Sequence, residues 1–141
     1  MYTSLINFSL YLLVSIPLMI FGILMFTRTT SYNDFAMINA GSNTHDPGQV
    51  DAAIAVACDL GGKIIGLSTV LASAIFHSAN LLDLTIWGLV GILFEIIIFC
   101  FFRLLSPIKV TAEISGGNIA VGIFSAVLSI SSGLLMAALI S

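Results

Sequence analysis

Charge is scarce in this sequence. Four Lys or Arg and seven Asp or Glu are spread over 141 residues, so that 8% of the chain is charged, where an ordinary soluble domain carries roughly a quarter. A water-soluble protein of this length must cover its exterior with polar groups, and so few cannot do it. Lipid must be the solvent. The net charge of −3 is thinly scattered, which leaves neither a basic patch for nucleic acid nor an acidic tail. Cysteine is nearly missing as well. Cys58 and Cys100 lie inside apolar runs without CxxC or Cys/His spacing, which excludes a disulfide framework and a metal site and leaves them as small hydrophobic residues. A helix pair of histidines for haem is absent; His45 and His77 read as solvated loop residues. No Ser/His/Asp set and no phosphate-binding glycine loop occurs, so neither an enzyme nor a cofactor is expected.

What the chain has instead is apolar length, 59% of its residues being hydrophobic. A bilayer core needs about 20 apolar residues per helix, and four segments supply them: about Leu5 to Phe26, Ala52 to Phe76, Leu84 to Phe102 and Gly117 to Ile140. The first is longer than a signal h-region, has no Lys or Arg before it and ends at Thr27-Arg28 without a small-x-small site, so it is expected to stay in the mature protein. Pro17 lies inside it, a position membrane helices tolerate. The second and third helices are joined by only His77 to Asp83 and must be antiparallel neighbours. The one long polar stretch, Thr27 to Asp51, contains turn chemistry at Asn39 to Asn43 and Asp46-Pro47-Gly48, with room for a short amphipathic segment around Tyr32 to Ile38.

Arg28, Arg103 and Lys109 all fall in the two connections on one face. The positive-inside rule makes these connections cytoplasmic and puts both termini outside. Each half of the chain also reads as an apolar helix, an Arg at its end, a polar connection and an Ala- and Gly-rich helix. Asp51-Ala52-Ala53-Ile54-Ala55 matches Asn118-Ile119-Ala120-Val121-Gly122, and at the same offset Gly66-Leu67 matches Gly133-Leu134. The expectation is an all-α integral membrane domain of four transmembrane helices, arranged as two tandem two-helix repeats (about 1–76 and 77–141) in parallel orientation. The cytoplasmic loop spans about 27–51.

Asn118-x-Ala120-x-Gly122 followed by Gly133 to Ala138, together with Gly61-Gly62-x-x-x-Gly66, Asp83, Trp87, Arg103 and Pro107, resembles the small inner-membrane proteins grouped as domain-of-unknown-function 350, also called YjfL-like. The similarity covers nearly the whole chain. It implies a duplicated four-helix protein of the bacterial inner membrane and no established activity. Relative to that pattern the loop before the second helix is lengthened, and the family's Asn at the start of that helix is replaced by Asp51 or falls at Ala53. Asp59 and Lys63 stand where the family has small or hydroxyl residues, and Glu95 where a neutral amide is expected.

Ionisable residues at bilayer depth are costly, so each needs a reason. Asp59 and Lys63 are four apart on one helix face, in the favourable order for an ion pair. Counting from the helix ends puts Asp59 and Glu95 at matching depth, both roughly 12 Å in, with Lys63 a turn deeper and able to reach either carboxylate. Such a set is either a satisfied structural network or a relay that exchanges a proton or ion. Gly62 and Gly66 on the second helix, and Gly122 and Gly133 on the fourth, have the spacing that lets helices approach closely. They serve packing between the duplicated helices or an interface between copies, in which Ser125, Ser129, Ser131 and Ser132 would line a pore. The first functional reading is a self-associating membrane scaffold or subunit that offers its loop to a cytoplasmic or membrane protein partner. The alternative is a small ion or proton channel or transporter component using Asp59, Lys63 and Glu95. The expected partners are lipid and further copies of the chain, with no nucleic acid.

Overall fold

Short polar side chains set the helix starts in this protein. The computed structural model describes residues 2–43 and 45–141, and among them all regular secondary structure is α-helical. Helix α1 (Tyr2–Thr29) runs through Pro17 without a break. Asn33 starts α2 (Asp34–Ala40), its side-chain oxygen accepting from the Ala36 N–H at 3.1 Å. Asp46 starts α3 (Pro47–His77) by accepting from Gly48 N–H, with Pro47 in the first turn, where its missing N–H costs nothing. Asn80 and Asp83 hold the start of α4 (Leu81–Leu105): Asn80 Oδ1 accepts from Asp83 N–H and Asp83 Oδ2 from Ala79 N–H, each at 3.0 Å. After α5 (Val110–Ser115), Gly117 turns the chain with a φ of 91°, and Asn118 starts α6 (Ile119–Ile140). That φ favours a residue without Cβ.

Helices α1, α3, α4 and α6 are each long and apolar enough to cross a bilayer. The chain is therefore an all-α integral membrane protein with four candidate spans. Large side chains such as Phe8, Leu13, Ile20 and Leu24 of α1, Leu93 of α4 and Phe124 of α6 are exposed, which is the outward face lipid requires.

Helix α3 is the axis of the molecule. It touches every other helix, and its most extensive contact is with α6. That seam is built on missing side chains: a methyl group added at Gly62 would fall on the backbone of Ala126, at Gly66 on Ser129 O, at Gly122 on Ala55 O, and at Gly133 on Gly66 itself. All four glycines singled out in the sequence are thus spent between α3 and α6 of one chain, where they let the two backbones meet. On the other side of α3, Leu18 and Phe26 of α1 pack with Leu60, Leu67 and Leu71 of α3 and Ile92 of α4.

The two connections at the Arg28 and Arg103 end are folded. In the stretch 27–51, α2 falls where a short amphipathic segment is expected around Tyr32 to Ile38 and packs on α3, while α1 continues to Thr29 and α3 begins at Pro47, earlier than apolar length implies. The connection after Arg103 holds a helix that apolar length alone did not reveal: α5 buries Val110 and Ile114 against Ala55, Val56 and Phe99. Burying two side chains of a six-residue amphipathic turn seals the end of the bundle near Arg28, Arg103 and Lys109, called here the basic end.

Candidate functional site

Three charged side chains of the spanning helices lie inside the bundle. Asp59 is 0% exposed, Lys63 3% and Glu95 2%. Asp59 and Lys63 sit one turn apart on α3, and the Lys63 ammonium donates to Asp59 Oδ2 at 2.6 Å, the one salt bridge among the described residues. The ammonium also stands over the Phe99 ring of α4, 3.7 Å from its centre, an attraction that strengthens where water is excluded. Asp59 is further held by Ser125 of α6, which donates to Oδ1 at 2.5 Å, and by the Tyr32 hydroxyl, which donates to Oδ2 at 3.4 Å. The pair is neutral as a unit and almost fully hydrogen-bonded, which is what burial demands of it.

Glu95 is held differently. Its Oε1 accepts from Ser132 of α6 at 3.1 Å, but the Ser132 hydroxyl also has the Ser129 carbonyl within 2.9 Å and carries a single proton to share between them. Glu95 Oε2 is buried without a hydrogen-bond partner. The carboxyl lies so close to Gly66 that a methyl there would stand 2.7 Å from Oε1.

Matching depth is corrected by this geometry. Ser125 holds Asp59 and Ser132 holds Glu95, and seven residues of α6 correspond to about 10 Å. The register of α4 on α3 accounts for the difference: Gly91 stands against Val70 and Glu95 against Gly66, seven residues along α3 from Asp59, so the apolar ends of the two helices are not level. Lys63 consequently donates to Asp59 alone. Of the four serines proposed as a pore lining, Ser125, Ser129 and Ser132 are buried against α3 and α4, and Ser131 faces outward.

Two participants, Tyr32 and Asp34, come from the segment between α1 and α3 and were not singled out in the sequence. Both fall in the short amphipathic segment expected around Tyr32 to Ile38, but nothing in that pattern says which of its polar side chains turns inward. Burial, reinforced by the Asp59 and Asp34 charges, holds the Tyr32 hydroxyl above its ordinary pKa, so it acts as a donor. Burial also pushes the Asp34 carboxyl up, opposed by the hydrogen bond from Thr30 and by the Lys63 charge. His77 bonds with its ring Nδ1 to Ser73 O at 2.9 Å and is exposed, as is His45. No cluster of three His, Cys, Asp or Glu with metal-binding geometry occurs among the described residues.

The comparisons with known proteins agree with this architecture in extent. The chain is 29% identical over 136 residues to the UPF0719 transmembrane protein YshE of Bacillus subtilis (strain 168), covering 96% of this chain and 93% of the relative. It is 24% identical over 135 residues to the UPF0719 inner membrane protein YjfL of Escherichia coli (strain K12), again covering 96% and 93%. No solved structure matches it. A family model spans residues 1–140, and the chain belongs to the Domain of Unknown Function (DUF350) family.

Proposed function

We propose that this protein is a small proton or ion channel or transporter component of the bacterial inner membrane, working as several copies, with Glu95 as the group that gains and loses the proton and Asp59–Lys63 as its charged neighbour. The observation that carries the reading is the buried, unpartnered Oε2 of Glu95 between α3, α4 and α6. A network retained only for stability has reason to satisfy every lone pair, because a half-satisfied one is worse than an apolar core. A carboxyl sharing one hydroxyl is poised to exchange its proton. Four helices enclose little, so passage across the bilayer requires a conduit between subunits. No chemical conversion is part of this reading.

The self-associating scaffold is less well supported. Its glycine stripes are occupied within the chain, and half of its docking loop is folded onto α3. The tandem duplication in parallel orientation has specific support: Ala55 meets Gly122 and Gly66 meets Gly133, so positions equivalent in the two halves face each other across the seam. With Arg28, Arg103 and Lys109 at one end, the positive-inside rule puts that end in the cytoplasm and both termini outside.

Two measurements test this. In proteoliposomes with an internal pH dye and an imposed potential, the wild-type chain acidifies or alkalises the lumen faster than empty vesicles, and Glu95→Gln reduces that rate to the empty-vesicle level. Unchanged flux in a folded Glu95→Gln variant removes the proposal. In a cysteine-free background, a cysteine at Ser141 reacts with an impermeant maleimide from outside the cytoplasmic membrane and one at Asn43 does not; the reverse pattern inverts the topology.

A further inference from the structure

A second polar feature lies apart from Glu95, at the basic end. Where α1 gives way to α2, a cavity of about 340 Å³ is lined by Thr27, Arg28, Thr30, Tyr32 and Asp34 among others. The hydroxyl of Thr30, one of the lining residues, is 2.7 Å from Asp34 Oδ2, 3.0 Å from the Thr27 carbonyl and 3.3 Å from the Tyr32 carbonyl. One hydroxyl proton serves three acceptors. Asp34 is 1% exposed, and its other oxygen, Oδ1, has no partner at all. Outside the helices neither the Thr27 nor the Tyr32 carbonyl accepts a backbone hydrogen bond, and Thr27 lies in the last turn of α1, where the helix leaves its carbonyls unpaired.

Four oxygens therefore converge with one proton among them, with the unpartnered Oδ1 of the same carboxyl beside them, at the negative end of a 28-residue helix. The arrangement is deficient in positive charge. Lys63 is committed to Asp59, and Arg28, on the cavity rim, is exposed and forms no ion pair among the described residues. Unwound backbone carbonyls and helix C-terminal ends joined to a carboxylate are what coordinate alkali cations inside membrane proteins. A single carboxylate is balanced by a single positive charge, whereas Ca²⁺ takes about 6–8 oxygen ligands and is held by several carboxylates.

We propose that the turn between α1 and α2 is a binding site for one monovalent alkali cation, held by the Asp34 carboxylate, Thr30 Oγ1 and the carbonyls of Thr27 and Tyr32. The site does not depend on ions crossing the membrane. Because Tyr32 also donates to Asp59, an ion gripping the Tyr32 carbonyl fixes the one side chain that joins this turn to the buried pair.

The test uses the full chain in detergent, with thermal unfolding followed in sodium, potassium and choline chloride at equal ionic strength, together with binding of radioactive sodium or rubidium. The expected result is a saturable rise in Tm with sodium or potassium over choline. Thr30→Val and Asp34→Asn each weaken radiocation binding by roughly tenfold or more, as removing a charge-assisted or buried polar ligand does. Asp34→Asn also supplies two N–H donors to the carbonyls, so it folds in choline and keeps the experiment interpretable. Three outcomes overturn the proposal: no difference between the salts; equal cation effects in wild type and Asp34→Asn; or stabilisation by acid alone with no cation bound, which would make the occupant a proton. Loss of stability in Arg28→Gln without any cation dependence would equally overturn it, by showing that Arg28 neutralises Asp34.

Discussion

Replacing Gly133 with alanine is expected to unfold or strongly destabilise this protein, whereas the same change at Gly61 leaves it intact. The two glycines share chemistry and a membrane helix environment, and differ in what stands opposite. A methyl at Gly133 would occupy the space of the Gly66 backbone, while a methyl at Gly61 meets nothing within 4 Å. A flexible side chain can rotate away from a new methyl, but a helix backbone can yield only by moving the whole helix. Separating α3 from α6 would also pull Ser125 from Asp59, since that hydrogen bond spans the seam. Overpacking alone costs about 1–3 kcal/mol, and taking Ser125 away from the buried Asp59 carboxylate adds to it. At Gly61 the alanine gains helix propensity, worth roughly 0.5–1 kcal/mol. Reversible unfolding in mixed micelles, followed by circular dichroism and by the emission of Trp87, checks both. Equal tolerance at the two sites would show that the helices are not in contact there.

The same seam explains how much was legible in the sequence. Membrane helices announce themselves by composition and length, so the four spans were readable, and the short capping residues Asp46, Asn80 and Asn118 placed their starts a few residues earlier or later than apolar length implies. Gly62, Gly66, Gly122 and Gly133 were visible as a close-packing pattern, but spacing does not say whether the partner helix belongs to the same chain. The Asp59–Lys63 pairing followed from helical periodicity alone. Its other partners did not, because Ser125 and Tyr32 arrive from 66 and 27 residues away, and nothing local in a serine-containing apolar helix or a polar turn identifies which hydroxyl faces a carboxylate. The depth of Glu95 relative to Asp59 was misread for a related reason. Counting residues from the apolar ends takes neighbouring helices to start level, whereas α4 packs on α3 with Glu95 opposite Gly66 and not Asp59. Helix α5 was missed because six residues give too short a pattern to stand out from a loop.

Lys63→Met is expected to produce the largest loss of stability among side-chain truncations in the bundle, about 3–5 kcal/mol, because it leaves the buried Asp59 charge uncompensated. Methionine approximates the apolar stem of lysine, so the contact with Phe99 is kept in part and the lost term is the ammonium. Adding Asp59→Asn to Lys63→Met is expected to recover most of that loss. The asparagine oxygen still accepts from Ser125 and its amide still faces Tyr32, while neither partner retains a charge to desolvate. The double-mutant cycle isolates the coupling between the two side chains, and unfolding in micelles of constant composition measures each corner. If Lys63→Met alone is tolerated, water reaches Asp59 and the pair is not sealed. The recovered double variant then separates stability from function in a way no single substitution can. Reconstituted beside the wild type, it has a folded bundle and an intact Glu95 with no charged neighbour. Flux that persists assigns the ion pair to holding α3, α4 and α6 together and leaves Glu95 as the sole exchanging group, whereas flux that disappears makes the Asp59–Lys63 pair a step in the path itself.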